Sequence, residues 1–264
     1  MIKEIIDKLV ALLAVSALLA SCSESELWQN PQTEARDGYI MLNFKTEIPA
    51  MQEVVTRAVD PDGGGVQDMT LFCFDSYGLF ISTVKAGVTV QKPGPGEMEG
   101  TFKAEVPENT RTIHFLANQN MDEFKEDSFR NKSESEVMAV LEGSSGRMIY
   151  WGRFACDAGN DSNIAEQMAT SGNSVKLIRN HARISVDNPD NNGHIVITGF
   201  AVCNTNAFGT VAPHHPKKGF DFTWPSSDDP FVTLPVNDAK MSDITDVTSS
   251  MNQYVFECEN SADA

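Results

Sequence analysis

The chain has 264 residues, of which 41% are hydrophobic, and a formal net charge of −17 at pH 7. This length and apolar content are enough to bury the core of one large domain or two small ones. The excess of acidic residues disfavours binding to nucleic acid or to anionic lipid, because both carry negative charge themselves.

The N-terminus has the pattern of an export signal. Two lysines lie in the first eight residues, and an apolar segment runs from Leu9 to Ala20. A membrane-spanning helix needs roughly 20 apolar residues, whereas the apolar region of a signal peptide is shorter. We therefore predict a signal peptide over residues 1–21 and exclude it from the fold.

The end of this segment, Leu19-Ala20-Ser21-Cys22, resembles the lipobox of bacterial lipoproteins. The resemblance implies that the thiol of Cys22 is acylated, so that Cys22 becomes the first residue after cleavage. The alternative is an ordinary signal peptide followed by a chance cysteine. The polar segment that follows predicts a tether, and its first residues, SESE, resemble the acidic surface-export tag of Bacteroidetes lipoproteins.

A first strand is predicted at residues 39–49, where Ile40, Leu42 and Phe44 share one face. Pro61 and three consecutive glycines follow and predict an exposed loop. We assign residues 22–57 to the tether and this first strand.

A hairpin is predicted next, because the apolar runs 69–74 and 79–84 are joined by the turn Asp75-Ser76-Tyr77-Gly78. Ser133 and Glu136 form a capping-box pattern, and with a stop at Gly143 they predict a short helix. The remaining strand-like segments are rich in Val, Ile and aromatic residues, and they lie at 101–106, 110–118, 147–156, 174–186, 194–204 and 252–260. This pattern predicts a mainly β protein, most simply a sandwich.

The composition changes after residue 210. Residues 213–240 contain several prolines and only short strand candidates, which cannot bury much core alone. We expect an N-terminal β-sandwich domain over 58–210 and the start of a second β domain over 211–264. This second part either packs onto the first domain or belongs to an incomplete second one.

No residue pattern indicates catalysis or a cofactor. The doublet His214-His215 is predicted to lie in a solvated loop, and DPDGGG at 60–65 lacks the ligand spacing of a calcium loop. Of the cysteines, Cys73 and Cys203 lie in apolar runs, where free buried thiols are expected. We predict no enzymatic activity, no metal site and no cofactor.

Several of these segments together resemble the FimA/Mfa-type fimbrillins of Bacteroides-like bacteria. They are the lipobox, the TRAVD loop (56–60), the hairpin VQDMTLFCFDSYGLFI, the strand VKLIRNHARISV and the closing YVFECEN. The resemblance covers most of the chain after residue 21. Members of that family continue beyond the last of these segments, so 211–264 is expected to be a partial or truncated domain.

The resemblance implies a transthyretin-like sandwich, export as a lipoprotein to the outer membrane and assembly into fimbriae. It also implies that an arginine-specific protease cuts between Arg57 and Ala58 and removes the first strand as a leader. A strand from another fimbrial subunit would then fill the groove by β-strand addition. Burying the equivalents of Ile40, Leu42 and Phe44 would contribute roughly 5–9 kcal/mol before ordering costs. The alternative is that Arg57 is an ordinary loop arginine, as in anchor or tip components that keep their leader and lipid.

A second hypothesis is a lipid-anchored binding module for a glycan or a host ligand. It would need exposed aromatic side chains, for which Trp151 and Trp224 are the candidates. Packing of these tryptophans in the core or at the sandwich edge is the favoured alternative.

Overall fold

The computed structural model describes residues 35–47, 66–93, 98–144, 148–186, 197–203, 205–206, 208–215, 219–220, 222, 245–246 and 252–256. The strands in this part of the chain are β1 Tyr39–Glu47, β2 Met69–Phe74, β3 Phe80–Lys85, β4 Gly87–Pro93, β5 Met98–Pro107, β6 Thr112–Ala117, β7 Glu142–Ser144, β8 Tyr150–Ala155, β9 Ser174–Lys176, β10 Ile178–Arg179, β11 Ala182–Ser185, β12 Gly199–Phe200, β13 Phe208–Thr210, β14 His214–His215, β15 Gly219–Phe220, β16 Thr245–Asp246 and β17 Asn252–Val255. The helices are a 3-10 helix at Glu126–Phe129 and the α-helices α1 Glu134–Met138 and α2 Ile164–Thr170.

Two sheets form a sandwich. Sheet A has the strand order β4-β5-β1-β9, and sheet B has the order β10-β8-β6-β2-β3. The strand pairs within both sheets are antiparallel except for β1 and β9, which run parallel. The other described strands form two-stranded ladders, namely β11 with β17, β12 with β16, β13 with β7 and β14 with β15.

Sheet B is covered on both faces. Its inner face joins sheet A in the main core, whose members include Leu71, Ile113, Phe115 and Tyr150 from sheet B. Its outer face carries a second cluster of buried side chains, which comprises Phe72, Phe74, Phe80, Leu116, Val137, Met138, Leu141, Ile149, Trp151, Val211 and Ala212. Because both faces are covered, all six residues of β2 and all six of β6 are buried, which explains their continuous apolar sequences.

The local predictions of the hairpin and of the helix start are confirmed. β2 pairs with β3, and Gly78 in the connecting turn has a positive φ of 71°, which glycine adopts without a steric cost. Ser133 caps α1, with both hydrogen bonds of the capping box to Glu136 present. The helix ends at Met138, five residues before the predicted glycine stop, because residues 142–144 pair with β13 instead.

The stretch 174–186 differs from the single strand that was predicted. It is divided among β9, β10 and β11, which pair with three different partners: β1, β8 and β17. The doublet His214-His215 is a short strand paired with β15 and not a loop. Cys203 is exposed and not buried, whereas Cys73 is buried as expected.

The described residues beyond 210 pack against the first part of the chain. Val211 and Ala212 are buried in the second cluster, and Phe220 and Phe222 pack against it. The division of the chain at residue 210 into two domains stays a prediction. Within the described ranges, no helix is both long enough and apolar enough to cross a membrane.

Candidate functional site

The site to which the sequence points is the position of β1 in sheet A. β1 pairs with β5 over eight residues, from Tyr39 opposite Pro107 to Thr46 opposite Gly100. The strand prediction for this segment is confirmed, and Ile40, Leu42 and Phe44 all face the main core. Their exposed fractions are 5%, 1% and 0%. β1 therefore fills a slot between the two sheets, which we call the β1 groove.

Phe44 is the deepest anchor in the β1 groove. It lies directly opposite Phe102 of β5, and the two rings are stacked with centroids 5.5 Å apart. Its ring also meets Phe115 of sheet B edge-on at 5.0 Å. Edge-to-face and offset-stacked arrangements are the favoured ones for aromatic pairs. Phe44 thus contacts both layers of the sandwich, so that removing β1 would open the core itself.

The C-terminal end of β1 is paired with strands on both sides. Lys45, Thr46 and Glu47 pair with β9, and the amide of Lys45 donates a hydrogen bond of 2.7 Å to the carbonyl of Asn173. The hydroxyl of Ser174 donates to the carboxylate of Glu47. In the described part of the chain, residues 39–44 have β5 as their sole strand partner.

Among the described residues, the N-terminal end of β1 is paired on one side only. The chain enters through Gly38, whose φ is +78°, and the amide of Glu108 donates to its carbonyl at 3.0 Å. Arg36 donates to Glu105 at 2.6 Å and lies over the ring of Tyr39 at 4.4 Å. Because the Arg36 side chain is 68% exposed, this ion pair contributes little to stability.

One polar atom inside the β1 groove has no hydrogen-bond partner among the described residues. The hydroxyl of Thr46 is fully buried on the same face as Phe44, and no described residue makes a hydrogen bond to it. An unsatisfied buried hydroxyl costs about 1–3 kcal/mol. The unpaired hydroxyl of Thr46 therefore lowers the stability of β1 in the groove, at the end where the strand is otherwise paired on both sides.

The remaining predicted site residues lie outside the described part of the chain. These are Cys22, the predicted lipid attachment site, and Arg57 and Ala58, the predicted cleavage site. The roles assigned to them, and the role of Ile40, Leu42 and Phe44 as a removable leader, stay predictions.

Sequence reasoning missed a polar network on the outer face of sheet B. His114 of β6 is fully buried, and its Nε2 lies 2.6 Å from Oε2 of Glu134 at the start of α1. Arg153 of β8 donates to both oxygens of the same carboxylate, at 2.7 and 3.1 Å. The indole nitrogen of Trp151 donates to Nδ1 of His114 at 3.0 Å. A histidine within the apolar run TIHFLA was the one signal of this network in the sequence.

The ionisation of this network follows from its burial and its hydrogen bonds. Burial lowers the pKa of His114 and outweighs the opposing effect of Glu134. Burial disfavours the charged form of Glu134 as well, but the hydrogen bonds from His114 and Arg153 overcome it and lower its pKa to about 2. His114 is therefore neutral and Glu134 ionised at pH 7, and the bidentate Arg153 compensates the charge.

The network links β6, β8 and the start of α1 on the outer face of sheet B. Trp151 is 1% exposed, so it belongs to the core and cannot form a surface binding site, while Trp224 lies outside the described residues. Burial also raises the pKa of the Cys73 thiol to about 12, which keeps it protonated and unreactive. Among the described residues, no group of three or more His, Cys, Asp and Glu side chains could hold a metal ion.

No protein-family model matches the chain, and no curated protein matches it. Its fold is similar to that of a candidate cell adhesion protein from Parabacteroides distasonis, with a TM-score of 0.53 and 14% identity. That match covers 84% of this chain and 72% of the other. At this identity the likeness shows a shared fold.

Two further solved structures match with TM-scores below 0.5. One is a C-terminally truncated tip fimbrial protein from Porphyromonas gingivalis, with a TM-score of 0.46, 14% identity, and coverage of 84% of this chain and 70% of the other. The second is a fimbrial assembly protein from Parabacteroides distasonis, with a TM-score of 0.42, 12% identity, and coverage of 83% and 86%. The predicted mainly β fold is confirmed, and the resemblance to fimbrillins is confirmed at the level of the fold. The names of these three structures are those of adhesion and fimbrial proteins, not enzymes.

Proposed function

We propose that this chain is a structural subunit, or an accessory or anchor component, of a cell-surface fimbria. The observation that carries the proposal is the position of β1 in sheet A. β1 lies at the N-terminal end of the fold, and its side chains fill a slot between the two sheets. Such a strand can be exchanged for one from another subunit without rearranging the rest of the sandwich. The fold shared with a candidate adhesion protein supports the same class of function.

The proposal includes export as a lipoprotein that is attached to the outer membrane through Cys22. The chain has a formal net charge of −17 at pH 7, so electrostatic attraction to anionic lipid headgroups would not hold this protein at a membrane. Acyl chains would hold it, because each buried CH₂ contributes about 0.8 kcal/mol. The polar segment between Cys22 and β1 would separate the folded domain from the bilayer.

Strand exchange is the proposed route of assembly. A cut after Arg57 by an arginine-specific protease would separate β1 from the rest of the domain, because β1 ends at Glu47. While the chain is intact, β1 competes for the groove as a tethered strand at high effective concentration. After the cut it becomes a separate peptide, and a strand from a neighbouring subunit can replace it.

The incoming strand must match the chemistry of the β1 groove. Backbone hydrogen bonds to β5 would supply affinity, and apolar side chains at alternate positions would enter the places of Ile40, Leu42 and Phe44. We further propose that the domain completed in this way spans residues 58–210. Residues 211–264 would begin a second β domain that packs on the outer face of sheet B, as Val211 and Ala212 do.

The test is to determine the N-terminus of the protein by mass spectrometry on surface material from its native cell. An acylated Cys22 would assign the chain as an anchor or other accessory component that keeps its leader. A terminus at Ala58 would assign it as a subunit that assembles by strand exchange. A terminus at any other residue would overturn the proposed cleavage step.

A matched pair of variants links cleavage to assembly. Arg57→Ala should abolish both the terminus at Ala58 and the recovery of the chain in high-molecular-weight fimbriae. Arg36→Ala is the control, because Arg36 precedes β1 and a cut there would leave the strand attached. Equal loss of fimbriae in both variants would contradict a specific role for Arg57.

A further inference from the structure

The core-facing side of β1 has four buried positions, and three of them are apolar. Ile40, Leu42 and Phe44 belong to the main core, whereas the fourth position is Thr46. The side chain of Thr46 is as deeply buried as that of Phe44, with an exposed fraction of 0% for both residues. Thr46 is therefore the position at which β1 departs from the apolar pattern of its own groove.

The described neighbours of Thr46 offer its hydroxyl no hydrogen-bond partner. Thr46 lies opposite Gly100 of β5, which has no side chain, and opposite Val175 of β9, which belongs to the main core. A buried hydroxyl in such surroundings carries the cost of its lost hydration without a compensating bond. The place of Thr46 would therefore suit an aliphatic side chain of the same branched shape.

The backbone pairing at this end of β1 does not depend on which side chain stands at position 46. The amide of Lys45 donates to the carbonyl of Asn173 at 2.7 Å, and the amide of Leu177 donates to the carbonyl of Glu47 at 2.8 Å. Any strand that runs antiparallel to β5 and parallel to β9 can make the same backbone bonds. The side chain in the place of Thr46 therefore distinguishes a better occupant of the groove from a poorer one.

We propose that the position of Thr46 selects the strand that displaces β1 from the groove. This inference rests on the proposed function and adds to it the chemistry of the partner strand. The partner strand carries apolar residues at four alternating positions, and the fourth, in the place of Thr46, is valine or isoleucine. Such a strand fills the groove without a buried polar side chain, whereas β1 leaves one hydroxyl without a partner among the described residues.

The cost of the buried hydroxyl sets the size of the expected preference. Leaving a buried hydroxyl without a hydrogen bond corresponds to a factor of about 5–150 in a binding constant at 25 °C. A strand with valine in the place of Thr46 should therefore bind at least fivefold more tightly than β1 itself. After cleavage this difference favours replacement of β1, because the strand has then lost the advantage of its tether.

The test uses the full chain with a recognition site for a sequence-specific protease inserted after Arg57. Once this site is cut, the leader that contains β1 is a separate peptide, which other peptides can replace in the groove. The cut chain is incubated with an equal excess of two differently labelled peptides of residues 38–48, one with the natural sequence and one with Thr46→Val. Size-exclusion chromatography then measures how much of each label has entered the protein. We expect at least fivefold more of the Thr46→Val peptide.

Two further variants separate the hydroxyl from the shape of the side chain. A Thr46→Ser peptide keeps the hydroxyl, so it should bind no more tightly than the natural peptide. Thr46→Val within the chain itself should have the converse effect and reduce entry of the natural peptide at least fivefold. Equal entry of the natural and Thr46→Val peptides would overturn selection at this position and leave strand exchange intact. Entry of neither peptide would overturn strand exchange, and this inference with it.

Discussion

Trp151 and His114 are joined by a hydrogen bond that fixes the protonation state of the imidazole. The indole N–H donates to Nδ1 of His114 over 3.0 Å, so Nδ1 must carry a lone pair and not a proton. The proton of the neutral ring then lies on Nε2 and is donated to Glu134 at 2.6 Å. Protonating Nδ1 would place two N–H groups against each other in a buried site.

This relationship predicts a loss of stability in mild acid. Burial lowers the pKa of His114 below its ordinary value of 6.5, and it lowers that of His181 to about 4. Between the folded and unfolded pKa values only the unfolded chain binds the proton, so stability falls as the pH drops below about 6.5. Each histidine contributes a slope of up to about 1.4 kcal/mol per pH unit in that window.

Urea unfolding between pH 4.5 and 7.5 measures this slope. His114→Gln should reduce it, because glutamine can accept from Trp151 and donate to Glu134 without titrating. His181→Gln should remove the contribution of His181. An undiminished slope in the double variant would show that other groups control the acid response. Glu134, whose pKa is about 2, should contribute only at still lower pH, because its stabilising charge is lost as the pH falls through that value.

Phe44→Ala should destabilise the intact protein by about 3–5 kcal/mol, because it empties a site between two aromatic rings in a closely packed core. Chemical denaturation monitored by circular dichroism measures this change. Lys45→Ala is the matched control, since Lys45 is the exposed neighbour on the same strand, and we expect a change within about 0.5 kcal/mol. Similar costs for both substitutions would argue that Phe44 does not anchor the strand.

Thr46→Val should stabilise the protein by about 1–3 kcal/mol, because it replaces a buried hydroxyl, which has no partner in the part of the chain that the structure describes, by a methyl group of similar size. The same denaturation measurement applies. Thr101→Val is the control, since Thr101 is a partly buried threonine of β5 opposite Lys45. Destabilisation by Thr46→Val would mean that the hydroxyl has a hydrogen-bond partner after all.

A synthetic peptide of residues 38–48 should bind to protein that has been cut after Arg57 and stripped of its leader. The peptide carries the apolar residues that face the core, so it should raise the thermal midpoint of the cut protein toward that of the intact chain. A peptide with Phe44→Asp should not bind, because it would bury an unpaired charge. Thermal scans with and without each peptide provide the measurement. If the cut protein kept its stability without any peptide, the groove would not depend on β1.

The elements that follow from local sequence signals were predictable. Alternating apolar residues in β1, the turn at Gly78 and the capping box of Ser133 each act within a few residues. α2 was not among the predicted elements, although Asn163 and Glu166 form a complete capping box of the same kind. With that signal the helix was predictable too.

The polar network depends on contacts between distant segments. His114, Glu134 and Arg153 meet because β6 and β8 are neighbours in sheet B and α1 lies across them. The strand-like run 174–186 pairs with three different strands in succession, which an alternating pattern cannot reveal. Single-sequence patterns specify which face of an element is apolar, but not which element will cover it.

The parallel pairing of β1 with β9 has a consequence for biosynthesis. The hydrogen bond between Ser174 and Glu47 joins residues 127 positions apart. The C-terminal end of β1, the first of the described strands to be synthesised, can therefore complete its pairing only after β9 has been synthesised. Contacts of such sequence separation are slow to form, because loop closure must precede the gain from pairing. We therefore expect the nascent domain to expose the edge of β1 at residues 45–47 until β9 has been synthesised. A chaperone that shields this edge would then be as important to the yield of the protein as any contact in its finished core.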